Sequence, residues 1–259
     1  MAEPLVRLQR DGEIATVTLA RAAKLNSLTP AMLDQLERVA RELDADTGVR
    51  VVVLTGEGEK AFCVGADINE WAALQPLDMW RRWVRRGHQV FDQWARLRQP
   101  VIAAINGHAF GGGLELALTA DIRVSVPHAG FALPEASIAT CPGWSGTQRL
   151  VQLVGASRAK YLALSGLRLS AAQALAGGLI HEIAEEAPLA DRVQELARAL
   201  AAKAPVSLQL TKQLINAAAG EDAAATLEAM AGALAATTDD AAEGIASFRD
   251  KRPARYAGR

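Results

Sequence analysis

What this sequence lacks does much of the sorting. Its 259 residues include only two cysteines, Cys63 and Cys141. That is too few for a disulfide framework at this size, and the pair has no metal-ligand spacing. Four histidines fall in no evident pattern. Neither sign of charge dominates: the formal net charge of −1 offers no global attraction to nucleic acid or to an anionic membrane. No run approaches the ~18 apolar residues that a bilayer-spanning helix requires. The opening stretch, "MAEPLVRLQRDGEIA", has neither an apolar signal core nor a transit-type amphipathic pattern, so the expected location is cytoplasmic. Aromatic residues make up 5%, yet 50% are hydrophobic and 22% charged, which excludes a disordered chain and leaves a globular one.

What is present reads as α/β. Residues 5–10 and 13–19 form a strand pair about an Asp11-Gly12 turn. Thr29-Pro30 opens a helix whose Met32, Leu33, Leu36, Val39, Ala40 and Leu43 share one face. "VRVVVLTG" and "PVIAAING" are continuous apolar runs of strand length, as expected where both faces of a sheet are covered. "DIRVSV", "GFALPE" and "LIHEI" are further strands, residues 67–74 a short helix, and residues 77–98 a long helix with one apolar face carrying Trp80, Trp83 and Trp94. Ser170 caps a helix ending at Gly177-Gly178, and helices fill residues 188–248. The predicted organisation is an α/β core over residues 1–187, built of recurring strand-strand-helix units, and an α-helical region over 188–259 whose Ala-rich stretches call for a covering surface.

Three motifs carry little chemistry. Gly56-x-Gly58 follows a strand like a dinucleotide fingerprint, but the third position is Ala61 and acids crowd the turn. "GWSGT" is not a serine-nucleophile elbow. Arg81, Arg82, Arg85 and Arg86, interleaved with tryptophans, read as a solvated basic face or as a contact for one small anion.

Gly111-Gly112-Gly113 is different. The triplet lies between a strand and a helix, where N–H groups lack partners and the helix dipole is positive. Without Cβ atoms a ligand can reach the backbone, although a close helix–strand crossing would also explain the glycines. "FCVGADI" follows a second strand and offers another N–H near Gly65-Ala66. Two donors converging on one oxygen stabilise charge developing on a carbonyl. Glu115 and Glu135 both lie in apolar settings, where burial raises a carboxyl pKa toward neutrality and equips it for acid–base work.

"KLNSLTPAMLDQL", "AFCVGADI", "INGHAFGGGLELALTADIRV", "FALPEASIATCPGWSGTQRL" and "DKRPARY" stand in this order along the chain. Together they resemble successive signatures of the crotonase superfamily, in particular its enoyl-CoA hydratases. The resemblance implies a crotonase-like spiral of ββα units with an α-helical C-terminal trimerisation region, assembled as a homotrimer or a dimer of trimers. It implies an acyl-CoA substrate, no separate cofactor and no metal, since coenzyme A is part of the thioester. It places the oxyanion N–H groups on Ala66 and Gly112 and the acid–base carboxyls on Glu115 and Glu135. Substrate contacts would include Lys24, Ala66, Asp67, Ile68, Gly112 and Lys251, with the two lysines near the CoA phosphates. Trp71, Trp83 and Trp144 would wall the acyl pocket. Trp144-Ser145 departs from the common "PGxGGTQR" pattern, which leaves acyl preference open. Related readings are a Δ3,Δ2-enoyl-CoA isomerase, a specialised acyl-CoA dehydratase, and a non-catalytic CoA- or RNA-binding relative.

Overall fold

A computed structural model describes residues 4–259. In chain order the first elements are β1 (Val6–Asp11), β2 (Ile14–Leu19), α1 (Pro30–Ala45), β3 (Val51–Gly56), β4 (Ala61–Cys63) and α2 (Ile68–Trp71). Next come α3 (Pro76–Asp78), α4 (Arg85–Ala95), β5 (Val101–Ile105), β6 (His108–Phe110) and α5 (Gly112–Ala117). The remainder comprises β7 (Ile122–Ser125), β8 (Gly130–Ala132), α6 (Gly146–Ser165), β9 (Leu169–Ser170), α7 (Ala171–Ala176), β10 (Glu182–Ile183), α8 (Leu189–Ala201), α9 (Pro205–Ala218), α10 (Ala223–Ala235) and α11 (Asp239–Asp250).

Two sheets alternate along the chain. The larger runs β1-β2-β3-β5-β7-β10 and the smaller β4-β6-β8-β9. All neighbours are parallel except the β1–β2 hairpin and the β8–β9 pair. Each successive pair, β3–β4, β5–β6 and β7–β8, therefore gives one strand to each sheet before the chain turns into helix. That is the recurring unit expected from the sequence, with β4 and β6 added: three-residue strands are too short to show a period of two.

The apolar runs follow from double coverage. Val52 and Leu54 of β3 enter the main core with Val17, Leu19, Ala103 and Ile105. Val51 and Val53, on the opposite face, meet Val193, Ala197 and Ala201 of α8. Helix α1 begins as the sequence predicts: the Thr29 hydroxyl accepts the Met32 N–H, Pro30 takes the first turn, and all six periodic residues are buried.

The 77–98 segment is not one regular helix. From α3 it passes through a π-helical stretch, Met79–Val84, before α4. Trp83 is buried by this path, whereas Trp80 is 60% exposed, so the expected single face does not include it. Arg81, Arg82 and Arg85 are exposed, and Arg86 pairs with Asp34 and Glu37 of α1.

The chain divides into two compact units, residues 1–209 and 210–259. Helix α8, grouped by sequence with the C-terminal helices, packs on the larger sheet and belongs to the first unit. The second unit holds the end of α9 with α10 and α11; Leu214, Ile215, Leu227, Leu234, Ile245 and Phe248 are exposed. Among the described residues no helix is long and apolar enough to cross a membrane.

Candidate active site

The glycine triplet serves three purposes. Gly111 has φ +50° and ψ −129°, a conformation that favours glycine, and a Cβ there would stand 2.9 Å from Glu135 Oε1. A Cβ on Gly112 would meet the Trp144 ring at 2.8 Å. One on Gly113 would lie 2.0 Å from the Cys63 carbonyl oxygen, so the close-crossing explanation holds at that position. Gly111 N–H is occupied by the Ala132 carbonyl. Gly112 N–H, at the first position of α5, has no acceptor among the described residues.

The second donor lies across the gap. Leu28 and Ala66 form an isolated parallel bridge in which Leu28 N–H donates to Gly65 and Asp67 N–H donates to Leu28. This pattern leaves Ala66 N–H, between them, without a protein acceptor among the described residues. Gly65, at φ +96°, packs so closely that a Cβ would come within 3.0 Å of Gly112 N. The two turns therefore abut, and Ala66 and Gly112 both line one cavity of about 260 Å³.

That cavity is lined by Ala66, Ile68, Trp71, Trp83, Gly112, Glu115, Glu135 and Trp144. Eight residues assigned from the sequence thus come together. Met79, Val84, Ser137, Ile138, Thr140 and Cys141 also line it. Asp67 does not: its carboxylate caps α2 at Asn69 N–H and pairs with Arg21 at 2.7 Å, a connection between loops. Lys24 is exposed in the 3-10 turn Ala22–Lys24, away from the cavity lining. Lys251 lies in the second unit, at the end of α11.

The two carboxyls differ in kind. Glu115, 2% exposed on α5, accepts the N–H groups of Trp144 and Gly146 at Oε1, each at 2.9 Å. Burial raises its pKa, and these backbone bonds oppose the rise by favouring the charged form. Glu135 opens a 3-10 turn, Glu135–Ile138, instead of closing a strand. Its buried Oε2 has no hydrogen-bond partner among the described residues. Burial, then repulsion from Glu115, pushes its pKa up to about 7. Two buried carboxyls whose pKa values are both raised, one bridged by backbone N–H groups and one poised to carry a proton near neutral pH, are equipped as an acid–base pair.

The cradle of Glu115 is what the sequence did not disclose. Residues 143–146 form the turn into α6, and a Cβ on Gly146 would strike Glu115 Cγ at 2.2 Å. A glycine opening a helix was the one local signal, but "PGWSGT" does not say which side chain its N–H groups face. The Trp144 ring fills the notch at Gly87, where a Cβ would lie 2.1 Å from its Nε1, and packs on Trp83 and Phe91 with centroids 5.2 and 5.3 Å away. Among the described residues no cluster of three or more His, Cys, Asp or Glu could hold a metal ion.

Comparison with known proteins agrees with this geometry. The enoyl-CoA hydratase/isomerase family model matches residues 9–259. The chain is 37% identical over 249 residues to a short-chain-enoyl-CoA hydratase of Clostridium acetobutylicum, covering 95% of each protein. It is 34% identical to an (E)-benzylidenesuccinyl-CoA hydratase of Thauera aromatica, covering 98% of this chain and 99% of that one. The crystal structure of an enoyl-CoA hydratase from Bacillus anthracis superposes with a TM-score of 0.81 at 35% identity, covering 98% of this chain and all of the other. With a family model spanning nearly the whole sequence and full-length relatives above 30% identity, this chain belongs to the enoyl-CoA hydratase/isomerase family.

Proposed function

We propose that this protein is an enoyl-CoA hydratase that adds water reversibly across the 2,3-double bond of a 2-enoyl-CoA thioester. The observation that carries the reading is that one apolar cavity is lined by two unlike glutamates and by Ala66 and Gly112, whose N–H groups have no protein acceptor among the described residues.

The step follows from charge. The thioester oxygen accepts hydrogen bonds from Ala66 and Gly112, drawing electron density from the double bond and making C3 electrophilic. Glu115 takes a proton from water as its oxygen bonds to C3, and negative charge moves through C2 onto the thioester oxygen, where the two donors stabilise it. Glu135, protonated near neutrality, delivers a proton to C2. The reverse path removes water from a 3-hydroxyacyl-CoA. No separate cofactor enters, because coenzyme A belongs to the substrate, and Lys24 is the phosphate contact to test.

An isomerase moving a proton between C2 and C4 needs only one carboxyl, so the presence of both favours hydration. The test is a panel of 2-enoyl-CoA thioesters of graded length, followed by loss of the conjugated absorbance. Hydration of short members is expected. Binding of the panel without hydration of any member would overturn the reading.

We further propose a trimer-based homo-oligomer. The exposed apolar residues of α10 and α11 support it, because leaving them in water forgoes roughly 25 cal/mol per Å² of apolar surface.

A further inference from the structure

Ser145 sits between the two amide groups that hold Glu115. Its φ is +71° and its ψ 7°, the left-handed region, where a Cβ crowds the following carbonyl oxygen and the backbone is strained. Gly146 N–H belongs to the peptide that follows Ser145, so its direction depends on that ψ. A relaxed Ser145 would swing it away from Glu115.

Something must therefore hold Ser145 in place. Its hydroxyl donates to Asp92 Oδ1 at 2.9 Å. Arg149, one turn into α6, donates from Nη2 to the same oxygen, also at 2.9 Å. Asp92 stands on α4, and its other carboxylate oxygen faces His88 at 3.2 Å. Ser145 and Arg149 are buried, 5% and 4% exposed, and Asp92 is half-buried. A single carboxylate oxygen on one helix thus grips both the strained residue and the first turn behind it.

We infer that Asp92 is a positioning residue: through Ser145 and Arg149 it locks the 143–146 turn so that the Trp144 and Gly146 amides stay aimed at Glu115. The tether itself touches no reacting atom. Its consequence for rate rests on the hydratase reading, whereas its consequence for the two amides does not.

Three variants separate this from a plain helix staple. Ser145→Ala removes the tether and keeps the conformational cost. Ser145→Gly removes the tether and the cost together. Asp92→Ala releases both partners. In nitrogen-labelled protein, the Trp144 and Gly146 amide protons are expected to move upfield in Ser145→Ala and Asp92→Ala, toward their positions in Glu115→Gln. In Ser145→Gly they should stay near wild type. With a 2-enoyl-CoA substrate, Ser145→Ala should lose about 10- to 100-fold in kcat with little change in KM, and Ser145→Gly should recover most of it.

Unmoved amides in Ser145→Ala would overturn the inference, as would a Ser145→Gly variant as impaired as Ser145→Ala. A fall in melting temperature with amides and kcat unchanged would reduce the contact to a staple. If wild type hydrates no thioester, the hydratase reading fails and the amide shifts still decide the tether. Should Asp92→Ala not fold, because it strips a buried guanidinium of a partner, the two Ser145 variants decide between tether and staple.

Discussion

Glu115 and Glu135 share a cavity, and burial raises both pKa values, yet their hydrogen-bonding surroundings differ. Glu115 gains two N–H donors that favour its anion, while Glu135 keeps one buried oxygen without a partner. Glu135 therefore makes a stability prediction as well as a catalytic one. Its native pKa of about 7 lies above its ordinary value of 4.5, so the folded state binds the extra proton between those limits. Stability falls as pH rises through that window and levels off above it. Glu135→Gln should consequently melt above wild type at pH 8 and close to it at pH 4, read by thermal denaturation. An equal difference at both would remove the titration from the explanation. The same variant should lose about 10²–10⁴-fold in activity, and so should Glu115→Gln. Because one water would serve both acids, the double variant should be little worse than either single. Near-wild-type rates from either would exclude that residue from the mechanism.

At the scale of elements, the site consists of helix starts pressed against short strands. Helix α5 approaches β4 so closely that Gly113 has no room for a methyl group beside the Cys63 carbonyl. Gly113→Ala is expected to lower stability by at least the 1–3 kcal/mol typical of overpacking, since the obstacle is backbone and cannot rotate aside. Chemical denaturation would measure this, and a loss within 0.5 kcal/mol, the usual range for surface substitutions, would contradict the geometry. The π-helical stretch Met79–Val84 has a comparable effect. It presents Met79, Trp83 and Val84 together to the cavity while leaving Trp80 outside. Such turns are frequent at functional sites because the extra residue redirects a side chain without ending the helix.

For the whole molecule, the division at residue 209/210 leaves a helical unit rich in exposed apolar residues. Phe248, 86% exposed, is an extreme case. Light scattering at micromolar concentration should return a mass that is a multiple of three chains, and Phe248→Asp should shift it toward smaller species if that residue lies in the contact. A monomeric wild type would refute the assembly. Among the described residues, the charged groups lining the site are the two glutamates, and the cavity is otherwise walled by aliphatic, aromatic, sulfur-containing, small and hydroxyl residues.

Local patterns determined a good deal. The Thr29 cap with its six-residue apolar face, the Ser170 cap and the unbroken runs of β3 and β5 each depend on residues within one element, and each forms as read. The glycine triplet and the two buried acids were visible for the same reason, since a charge amid leucines and three glycines before a helix are anomalies within a dozen residues. Tertiary structure decided what those anomalies meet. Only folding sets Trp144 against Gly87 and Gly112, gives Glu115 its two amides from 29 and 31 residues away, and leaves Glu135 Oε2 unpartnered. It likewise withdrew Asp67 into a pair with Arg21, 46 residues distant, and joined Asp92 to Ser145 across 53. Sequence periodicity reports which face of an element avoids water, but pKa values and hydrogen-bond partners depend on groups that elements far apart in the chain bring within about 3 Å.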